Sequence, residues 1–490
     1  MLASIPKALR PPRTGPMVAA LALLLLLSTA PPAVAQVTQG EFAERRAALL
    51  YATEARVGLA ISNPTSRQGH LPFQYLAGVI ETDAVLLFVR EGDGVTSTIF
   101  VPEGLGRERG ALPLVGVDGA PFRPGDGTRG QAPEVRSLEE LTDTLGPLLD
   151  LVDRVALVGV SDFAAGGSAR GPEVVGALLE GREELEIVRA NGQVNQMRAI
   201  KSPAELQLIR RAVEITEAAH RELLNHIRPG VTEADLKVVI DSVFRAMGAD
   251  ARPAFGHIVA SAENSTILHY RGGERVLNDG EHVKIDIGAQ VHGYAADVTR
   301  TYPVNGRFSP ELRDIYEIVR AAQARAEELA AEGAPRAEQS RAADLVLGEG
   351  LTRLGLMEGP GATYDCAQRG GGMGECPQLR IHYFHSLGHG IGLNVHDPTP
   401  GTMEVGSAIS IEPGIYLRPG FLDDLPDTPR NRALLERIGA AYERYEGIGV
   451  RIEDNHIMTP EGLVWISRAP REIDEIEAAM AAAARERAGR

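Results

Sequence analysis

Short apolar runs alternate with amphipathic stretches along residues 36–195. Residues 83–89 and 97–101 are apolar runs on either side of a glycine-bearing turn, and this pattern predicts two strands joined in a hairpin. A third apolar run at residues 155–160 predicts a buried strand, and residues 172–179 predict a short helix with proline at its start. The pattern therefore predicts an α/β domain that contains no cluster of catalytic residue types.

Three amphipathic helices are predicted after a domain boundary near Met197. The first begins at Ser202, which is followed by proline in the first helical position and by glutamate three residues on, a capping box. The other two begin at Thr232 and Ser309, and strand-like segments lie between the helices. We therefore predict a second domain over residues 196–490 and an α/β (α+β) fold for the chain as a whole.

The first 35 residues have the order of features that is typical of a secretory signal peptide. Three basic residues precede an apolar run at residues 17–30, and a small-residue site follows at residues 33–35. The run is shorter than the ~20 residues that span a bilayer. We therefore expect an exported protein, periplasmic or extracellular, with no stable membrane insertion after cleavage. An uncleaved amino-terminal anchor is the alternative.

Composition narrows the class of protein. A chain of 490 residues with 44% hydrophobic and 24% charged residues is ordinary for a globular protein of two or three domains. The net charge of −16 argues against a nucleic-acid partner, which requires a basic face. The only two cysteines, Cys366 and Cys376, flank a glycine-rich stretch, and in an oxidising compartment we predict a disulfide between them. Two free thiols are the alternative.

Two aspartates lie on a predicted hairpin. Residues 283–288 alternate apolar and polar positions, which predicts a half-buried strand, and a glycine turn follows. If the turn centres between Val291 and His292, Asp286 and Asp297 face each other across the hairpin. Like charges in that position repel unless a cation lies between them. A solvated hairpin face is the alternative.

Two further strands share the alternation, and each carries a glutamate. Glu412 ends one apolar–polar run, and Glu453 follows Arg451 in the other. All four carboxylates therefore lie on strands whose other face is core. Because burying anions is unfavourable unless they are paired or bound to metal, this set predicts a cation site, and Arg451 offsets only part of the charge.

Three histidines follow one another closely before Glu412. His385, His389 and His396 lie within twelve residues, and the glycines between them favour a loop or strand over a helix. One imidazole added to four carboxylates makes an oxygen-rich ligand set. Hard divalent ions such as Mn²⁺ suit this set better than zinc does.

These motifs, in this order, resemble those of the pita-bread metallopeptidases, and within them the aminopeptidase P (Xaa-Pro aminopeptidase) group. The resemblance implies a creatinase-like α/β domain at residues 36–195. It also implies a pita-bread catalytic domain, with a curved, mainly antiparallel sheet covered by helices. Five positions match metal ligands of that family: Asp286, Asp297, His389, Glu412 and Glu453.

The resemblance also implies how the ligands share two metal ions. Asp286 would chelate one ion, and Asp297 and Glu453 would bridge the pair. His389 and Glu412 would complete the second ion. Four carboxylates balance the formal charge of two divalent cations, for which we expect Mn²⁺.

Further positions match residues of the family that act on the substrate. His269, His385 and His396 would hold the peptide and stabilise the intermediate, Arg451 would orient ligand carboxylates, and Glu412 would transfer the proton. The implied reaction is hydrolysis of the X-Pro bond at a peptide amino terminus by a metal-bridging hydroxide. The expected partners are peptides with proline in the second position, and we expect a homo-oligomer. The alternatives are an Xaa-Pro dipeptidase (prolidase) and a metal-free pita-bread binding protein.

Overall fold

The computed structural model of the protein describes most of the chain after residue 35. The described residues are 36–62, 67–81, 83–92, 94–102, 115–117, 122–125, 132–159, 170–368 and 370–489. The predicted signal peptide lies outside them. Residues 36–490 form one compact unit, and the division into two domains at residue 195 stays a prediction. No helix among the described residues combines the length and the apolar character needed to cross a bilayer.

The described residues of the N-terminal region form eight strands and five α-helices. The strands are β1 (Val57–Ile61), β2 (Val79–Ile80), β3 (Val85–Glu91), β4 (Gly94–Val101), β5 (Val115–Gly116), β6 (Glu134–Ser137), β7 (Arg154–Val158) and β8 (Glu186–Arg189). The helices are α1 (Gln39–Ala52), α2 (Arg67–Ala77), α3 (Leu141–Leu149), α4 (Arg170–Leu179) and α5 (Asn191–Ala199). The predicted hairpin corresponds to β3 and β4, the predicted buried strand to β7, and the predicted helix to α4.

Six of these strands form a mixed sheet with helices on both faces. The strand order is β6-β4-β3-β1-β7-β8, with β3 antiparallel to β1 and β4, and β7 parallel to β1. Val57, Leu59 and Ile61 of the central strand pack in one cluster with Leu145 of α3 and Val175 of α4. The alternate positions face a second cluster that includes residues of α1, α2 and α5. Alternate side chains of β1 therefore face two different buried clusters, one on each side of the sheet.

The described residues after residue 200 form six α-helices and twelve strands. The helices are α6 (Pro203–His226), α7 (Glu233–Ala246), α8 (Pro310–Glu328), α9 (Arg336–Arg353), α10 (Pro429–Tyr445) and α11 (Ile473–Ala488). The strands are β9 (Ile258–Ser261), β10 (His282–Ile287), β11 (Gln290–Val291), β12 (Tyr294–Ala295), β13 (Val298–Pro303), β14 (Thr363–Ala367), β15 (Met373–Pro377), β16 (Ala408–Ile411), β17 (Gly414–Tyr416), β18 (Gly449–Arg451), β19 (Asp454–Thr459) and β20 (Gly462–Trp465).

The three predicted helix starts are confirmed. The hydroxyl of Ser202 accepts a hydrogen bond from the backbone N–H of Glu205 at 3.2 Å, and Glu205 completes the capping box. Thr232 and Ser309 cap α7 and α8 in the same way through their side-chain oxygens. These caps satisfy N–H groups that lack partners inside the helix, so each start is specified by local sequence.

Short antiparallel ladders form the centre of this region. β10 pairs with β9 and β13, β19 pairs with β16 and β20, and β17 pairs with β18. Helix α6 packs on β11 and β12, while α8 packs on β16, β17 and β18. The ladders therefore present their side chains to a common centre under a helical cover.

The two cysteines lie on a separate hairpin made of β14 and β15. Cys366 and Cys376 form a disulfide with their Cα atoms 5.8 Å apart. Asn431 of α10 fastens the same hairpin: the N–H of Asp365 donates to its Oδ1 at 3.0 Å, and its Nδ2 donates to the carbonyl of Asp365 at 2.8 Å. The hairpin is thus held by one covalent bond and by one helix.

Candidate metal centre and active site

The hairpin that carries the two aspartates has a different register from the predicted one. Asp286 pairs with Thr299, and Val291 pairs with Tyr294, so the expectation that Asp286 faces Asp297 directly is wrong. The turn residues are His292 and Gly293, which have φ values of 50° and 86°. A two-residue turn with positive φ at both positions moves the centre one residue along the chain. Because this shifts the pairing by two residues, both carboxylates stay on one face.

Strand β10 is also more deeply buried than the alternation predicts. All six of its residues are buried, including Asp286 and the lysine at position 284, so the expected half-buried strand is wrong. Val283, Ile285 and Ile287 pack in the hydrophobic core on one face, and Lys284 and Asp286 are buried on the other. The polar positions of this strand therefore face the interior of a site and not solvent.

The two glutamates lie at breaks between ladders. Glu412 falls between β16 and β17, and Glu453 falls between β18 and β19. At these breaks the backbone N–H of Glu412 donates to the carbonyl of Leu387 at 2.7 Å, and that of Glu453 donates to the carbonyl of Thr299 at 3.0 Å. A hydrogen bond to a third segment of the chain thus fixes the backbone of each glutamate beside the cluster.

His389 lies at the centre of the carboxylates. Its Nε2 is 3.4 Å from an oxygen of Glu412, 3.5 Å from Asp297 and 3.7 Å from Glu453. Asp297, His389 and Glu453 offer ligand atoms that all lie within 4.8 Å of one another. A Cβ on the preceding Gly388 would lie 2.0 Å from the carbonyl oxygen of Ser410, so only glycine lets this loop approach β16 so closely.

Arg451 joins Asp286 to the rest of the cluster. Its Nη2 donates to Asp286, and its Nε donates to the hydroxyl of Thr299 at 3.1 Å. Its Nε also lies 4.0 Å from oxygens of Glu412 and of Glu453, and the residue is only 4% exposed. One guanidinium therefore offsets part of the charge of four carboxylates, as the sequence predicts.

The buried carboxylates repel one another. Burial raises the pKa of Asp297 and of Glu412 well above the ordinary value, and the charge of Glu453 raises both further. Burial followed by the charge of Asp286 raises the pKa of Glu453. Burial lowers the pKa of His389 to about 4, so this imidazole is neutral near pH 7 and supplies no positive charge.

Two oxygens of this centre have no protein partner. Among the described residues, Oδ1 of Asp286 and Oδ1 of Asp297 are buried without a hydrogen bond. Oxygen donors with excess negative charge beside one neutral imidazole are the set that hard divalent cations bind. The residues present therefore fit divalent metal ions.

The three other predicted histidines surround the cluster. His385 is half-buried, with its Nε2 2.8 Å from the hydroxyl of Tyr416, and burial lowers its pKa to about 3. His396 is exposed, with its ring centre 4.2 Å from that of His389. His269 is exposed, and partial burial followed by the charge of Arg451 lowers its pKa. Three imidazoles that are neutral near pH 7 thus border the charged centre.

Sequence reasoning missed two residues of this site. Lys284 is fully buried and donates to the carbonyls of Ser265 at 2.7 Å and Ile267 at 3.0 Å, and its Nζ lies 5.1 Å from the centre of the Tyr416 ring. Tyr416 contacts both His385 and Arg451 through its hydroxyl. The signal for Lys284 was its position two residues before Asp286, which places both side chains on one strand face.

A helix-covered set of antiparallel ladders with this donor set defines a metal-dependent hydrolase. Metallopeptidase family M24 matches residues 207–460, and the chain belongs to this family.

Relatives match almost the whole chain. The Xaa-Pro aminopeptidase of Haemophilus influenzae is 31% identical, over 91% of this chain and 98% of its own length. The Xaa-Pro aminopeptidase of Escherichia coli K12 is 30% identical, over 92% and 99% of the two lengths. The structure of Pseudomonas aeruginosa aminopeptidase PepP matches with a TM-score of 0.72 and 29% identity, over 92% of this chain and 99% of that one. The predicted pita-bread metallopeptidase fold and the predicted metallo-aminopeptidase class are confirmed.

Proposed function

We propose that the protein is an exported aminopeptidase that removes the first residue of peptides whose second residue is proline. The observation that carries the proposal is the buried centre of four carboxylates and one neutral imidazole in a chain of family M24. The names of the full-length relatives support the preference for proline. The predicted signal peptide supports export, and the Cys366–Cys376 disulfide agrees with an oxidising compartment.

In this proposal Asp286, Asp297, His389, Glu412 and Glu453 hold two divalent ions, with Mn²⁺ as the expected metal. Such ions, when bound, supply Lewis-acid polarisation of a carbonyl and lower the pKa of water. Residues around the ligands keep them in place: the hydroxyls of Ser410 and Thr299 both donate to Glu453. Asn455 does the same for the backbone of Asp297, accepting from its N–H at 2.9 Å and donating to its carbonyl at 2.6 Å.

Glu412 is the residue that we assign to proton transfer. Its carboxylate lies 3.4 Å from Nε2 of His389 and 3.9 Å from Nδ1 of His385, at the border between the ligands and the outer histidines. From there it can accept a proton from the attacking water and deliver it to the leaving nitrogen. A peptide nitrogen leaves as an amine only when it gains a proton, so this delivered proton is required for the prolyl nitrogen to leave.

The outer histidines are the residues that we assign to the substrate. His396 and His269 are exposed beside the centre and can contact a bound peptide, and Tyr416 orients His385 through the 2.8 Å hydrogen bond. Neutral imidazoles serve this purpose because each offers one donor and one acceptor. They grip peptide groups without adding charge to a site that already holds four carboxylates.

The proposal is tested with a short peptide panel on the purified, Mn²⁺-loaded protein. We expect cleavage of Arg-Pro-Pro with release of arginine, and no cleavage of Arg-Ala-Pro. Cleavage of Gly-Pro alone would identify a dipeptidase instead, and absence of any cleavage would favour the metal-free binding protein. Elemental analysis of the same sample should give two metal ions per chain, and one ion would contradict the dinuclear centre.

Export and assembly have separate tests. Mass spectrometry of the protein recovered outside the cytoplasm should show an amino terminus at Gln36, and an intact Met1 would contradict cleavage. Light scattering should give a multiple of the chain mass, because we expect a homo-oligomer from the family resemblance.

A further inference from the structure

A small pocket separate from the metal centre lies beside the loop that leads to His389. It has a volume of about 140 Å³ and is bordered by the first turn of α9, by Leu387 and Gly388, and by β16. A water molecule occupies ~30 Å³ in the liquid, so the pocket has room for an ion of several non-hydrogen atoms. The side chains that α9 contributes are those of Arg336, Gln339 and Ser340.

Arg336 supplies an unpaired positive charge. Within the described part of the chain no carboxylate lies within 4.0 Å of its half-buried guanidinium and no hydrogen bond of that group is formed. Burial lowers its pKa, and no neighbouring acid acts in the opposite direction. Buried guanidinium groups are normally paired with an anion, so this one lacks its usual partner.

Gln339 supplies a buried donor that also lacks a partner. The residue is 2% exposed, and its Nε2 has no hydrogen bond among the described residues. Leaving a buried amide N–H group unpaired is unfavourable. Since Gln339 lines the pocket, an acceptor bound there would satisfy it.

The amino terminus of α9 makes a third contribution that favours an anion. This helix has 18 residues, and its N-cap is Pro335, which offers no side-chain acceptor to the first turn. Helix amino termini carry a partial positive charge and exposed N–H groups, and they attract anions for that reason. The charge of Arg336, the amide of Gln339 and the helix terminus therefore converge on one small volume.

We propose that this pocket is a binding site for a small tetrahedral oxyanion of the sulfate and phosphate class. Arg336 provides the charge, Nε2 of Gln339 provides a donor, and the hydroxyl of Ser340 lies at the border. The amino terminus of α9 contributes its partial positive charge, while the N–H groups of Arg336 and Glu338 already donate to backbone carbonyls at 3.0 Å. The lining of the pocket includes none of the five proposed metal ligands and none of the outer histidines, so the ion is proposed as neither a substrate group nor a metal ligand.

The pocket shares its far wall with the metal centre. Gly388 precedes His389, and Ser410 of β16 donates its hydroxyl to Glu453. The four carboxylates beyond this wall repel an anion, and divalent cations bound to them would offset the repulsion. The binding experiment is therefore run on the Mn²⁺-loaded chain; this choice of condition, but not the pocket itself, rests on the proposed function.

The test is calorimetric titration of sulfate into the full chain at constant ionic strength. We expect one saturable site, and Arg336→Met and Gln339→Leu should each weaken sulfate binding by about tenfold or more. Arg341→Met is the matched control, because it removes an equal charge from an exposed position of the same helix and should change the affinity by less than about twofold. Thermal melts establish that each variant is folded.

Two results would overturn the site. One is the absence of saturable sulfate binding to the unaltered chain, and the other is equal weakening by Arg341→Met, which would indicate a general charge effect. Crystals soaked in selenate provide a measurement that needs no variant. Anomalous density between Arg336 and Gln339 is expected, and its absence at a concentration that saturates the calorimetric signal would contradict the assignment. X-Pro cleavage by the unaltered chain is measured in parallel, so that a failed anion site and a failed peptidase assignment remain distinguishable.

Discussion

Replacing Asp297 with asparagine should stabilise the metal-free protein and abolish its response to metal. The substitution keeps the size of the side chain and removes one of several charges that repel one another. At the 4.8 Å limit on the separation of the ligand atoms of Asp297 and Glu453, two unit charges in an effective dielectric of ~20 repel by about 3.5 kcal/mol. Because each carboxyl group can also relieve the repulsion by binding a proton, we expect a gain of about 1–3 kcal/mol in the free energy of unfolding.

The pH dependence of the stability of the metal-free chain provides a second test of the same prediction. The pKa values of Asp297, Glu412 and Glu453 are all raised by folding, chiefly through burial. Between the ordinary carboxyl pKa and the raised values, the folded metal-free chain holds more protons than the unfolded chain. The contribution of these three groups to stability is therefore greatest below the ordinary pKa and is lost as pH rises through this window. Asp297→Asn should make this fall less steep.

Urea unfolding in the presence of a chelator, repeated from about pH 5 to about pH 8, measures both effects. Asp423→Asn, at an exposed carboxylate, is the control for loss of a negative charge alone. In parallel, added Mn²⁺ should raise the melting temperature of the unaltered chain and leave that of Asp297→Asn nearly unchanged. A variant that is less stable than the unaltered chain without metal, or that still responds to Mn²⁺, would refute the repulsion argument.

Three other predictions concern single side chains. His396→Ala should lower kcat by about tenfold or more while elemental analysis finds the metal content unchanged, and loss of metal would place this residue among the ligands. Lys284→Met removes both hydrogen bonds that hold the segment before His269, so it should lower kcat/KM by about tenfold. When His269 is already alanine, the same change should lower kcat/KM by less than about twofold. Equal losses in both backgrounds would exclude an effect through His269. Cys376→Ser opens a disulfide between residues ten apart in sequence, for which denaturation should show a loss of about 2–3 kcal/mol. Unchanged stability would show that noncovalent contacts, among them the hydrogen bonds of Asn431 and Thr428 to Asp365, are sufficient to hold the hairpin.

Local signals were sufficient to predict three of the helix starts that follow residue 200. Ser202, Thr232 and Ser309 each cap a helix through an atom of their own side chain, and the residues that complete the cap lie within one turn. The order of ligand-type residues along the chain identified the family because several separate segments had to match at once.

The register and burial of the aspartate hairpin could not be predicted in the same way. The turn at His292 and Gly293 requires positive φ at a histidine, and the side chain of Asp250, far away in sequence, accepts from both backbone N–H groups of that turn at 3.0 and 2.8 Å. Alternation along β10 separates its two faces correctly. It does not reveal that the polar face is also buried, and Lys284 was overlooked for that reason.

In the proposed metal centre, the contact between Arg451 and Asp286 makes metal uptake an exchange reaction. Any ion that binds Asp286 competes there with a guanidinium that keeps its charge at all accessible pH values. At Asp297, Glu412, Glu453 and His389 the competitor is the proton, so acidification weakens metal binding at these positions. The affinity measured for a metal ion is therefore set against two competitors, one fixed in the chain and one supplied by the surrounding solution.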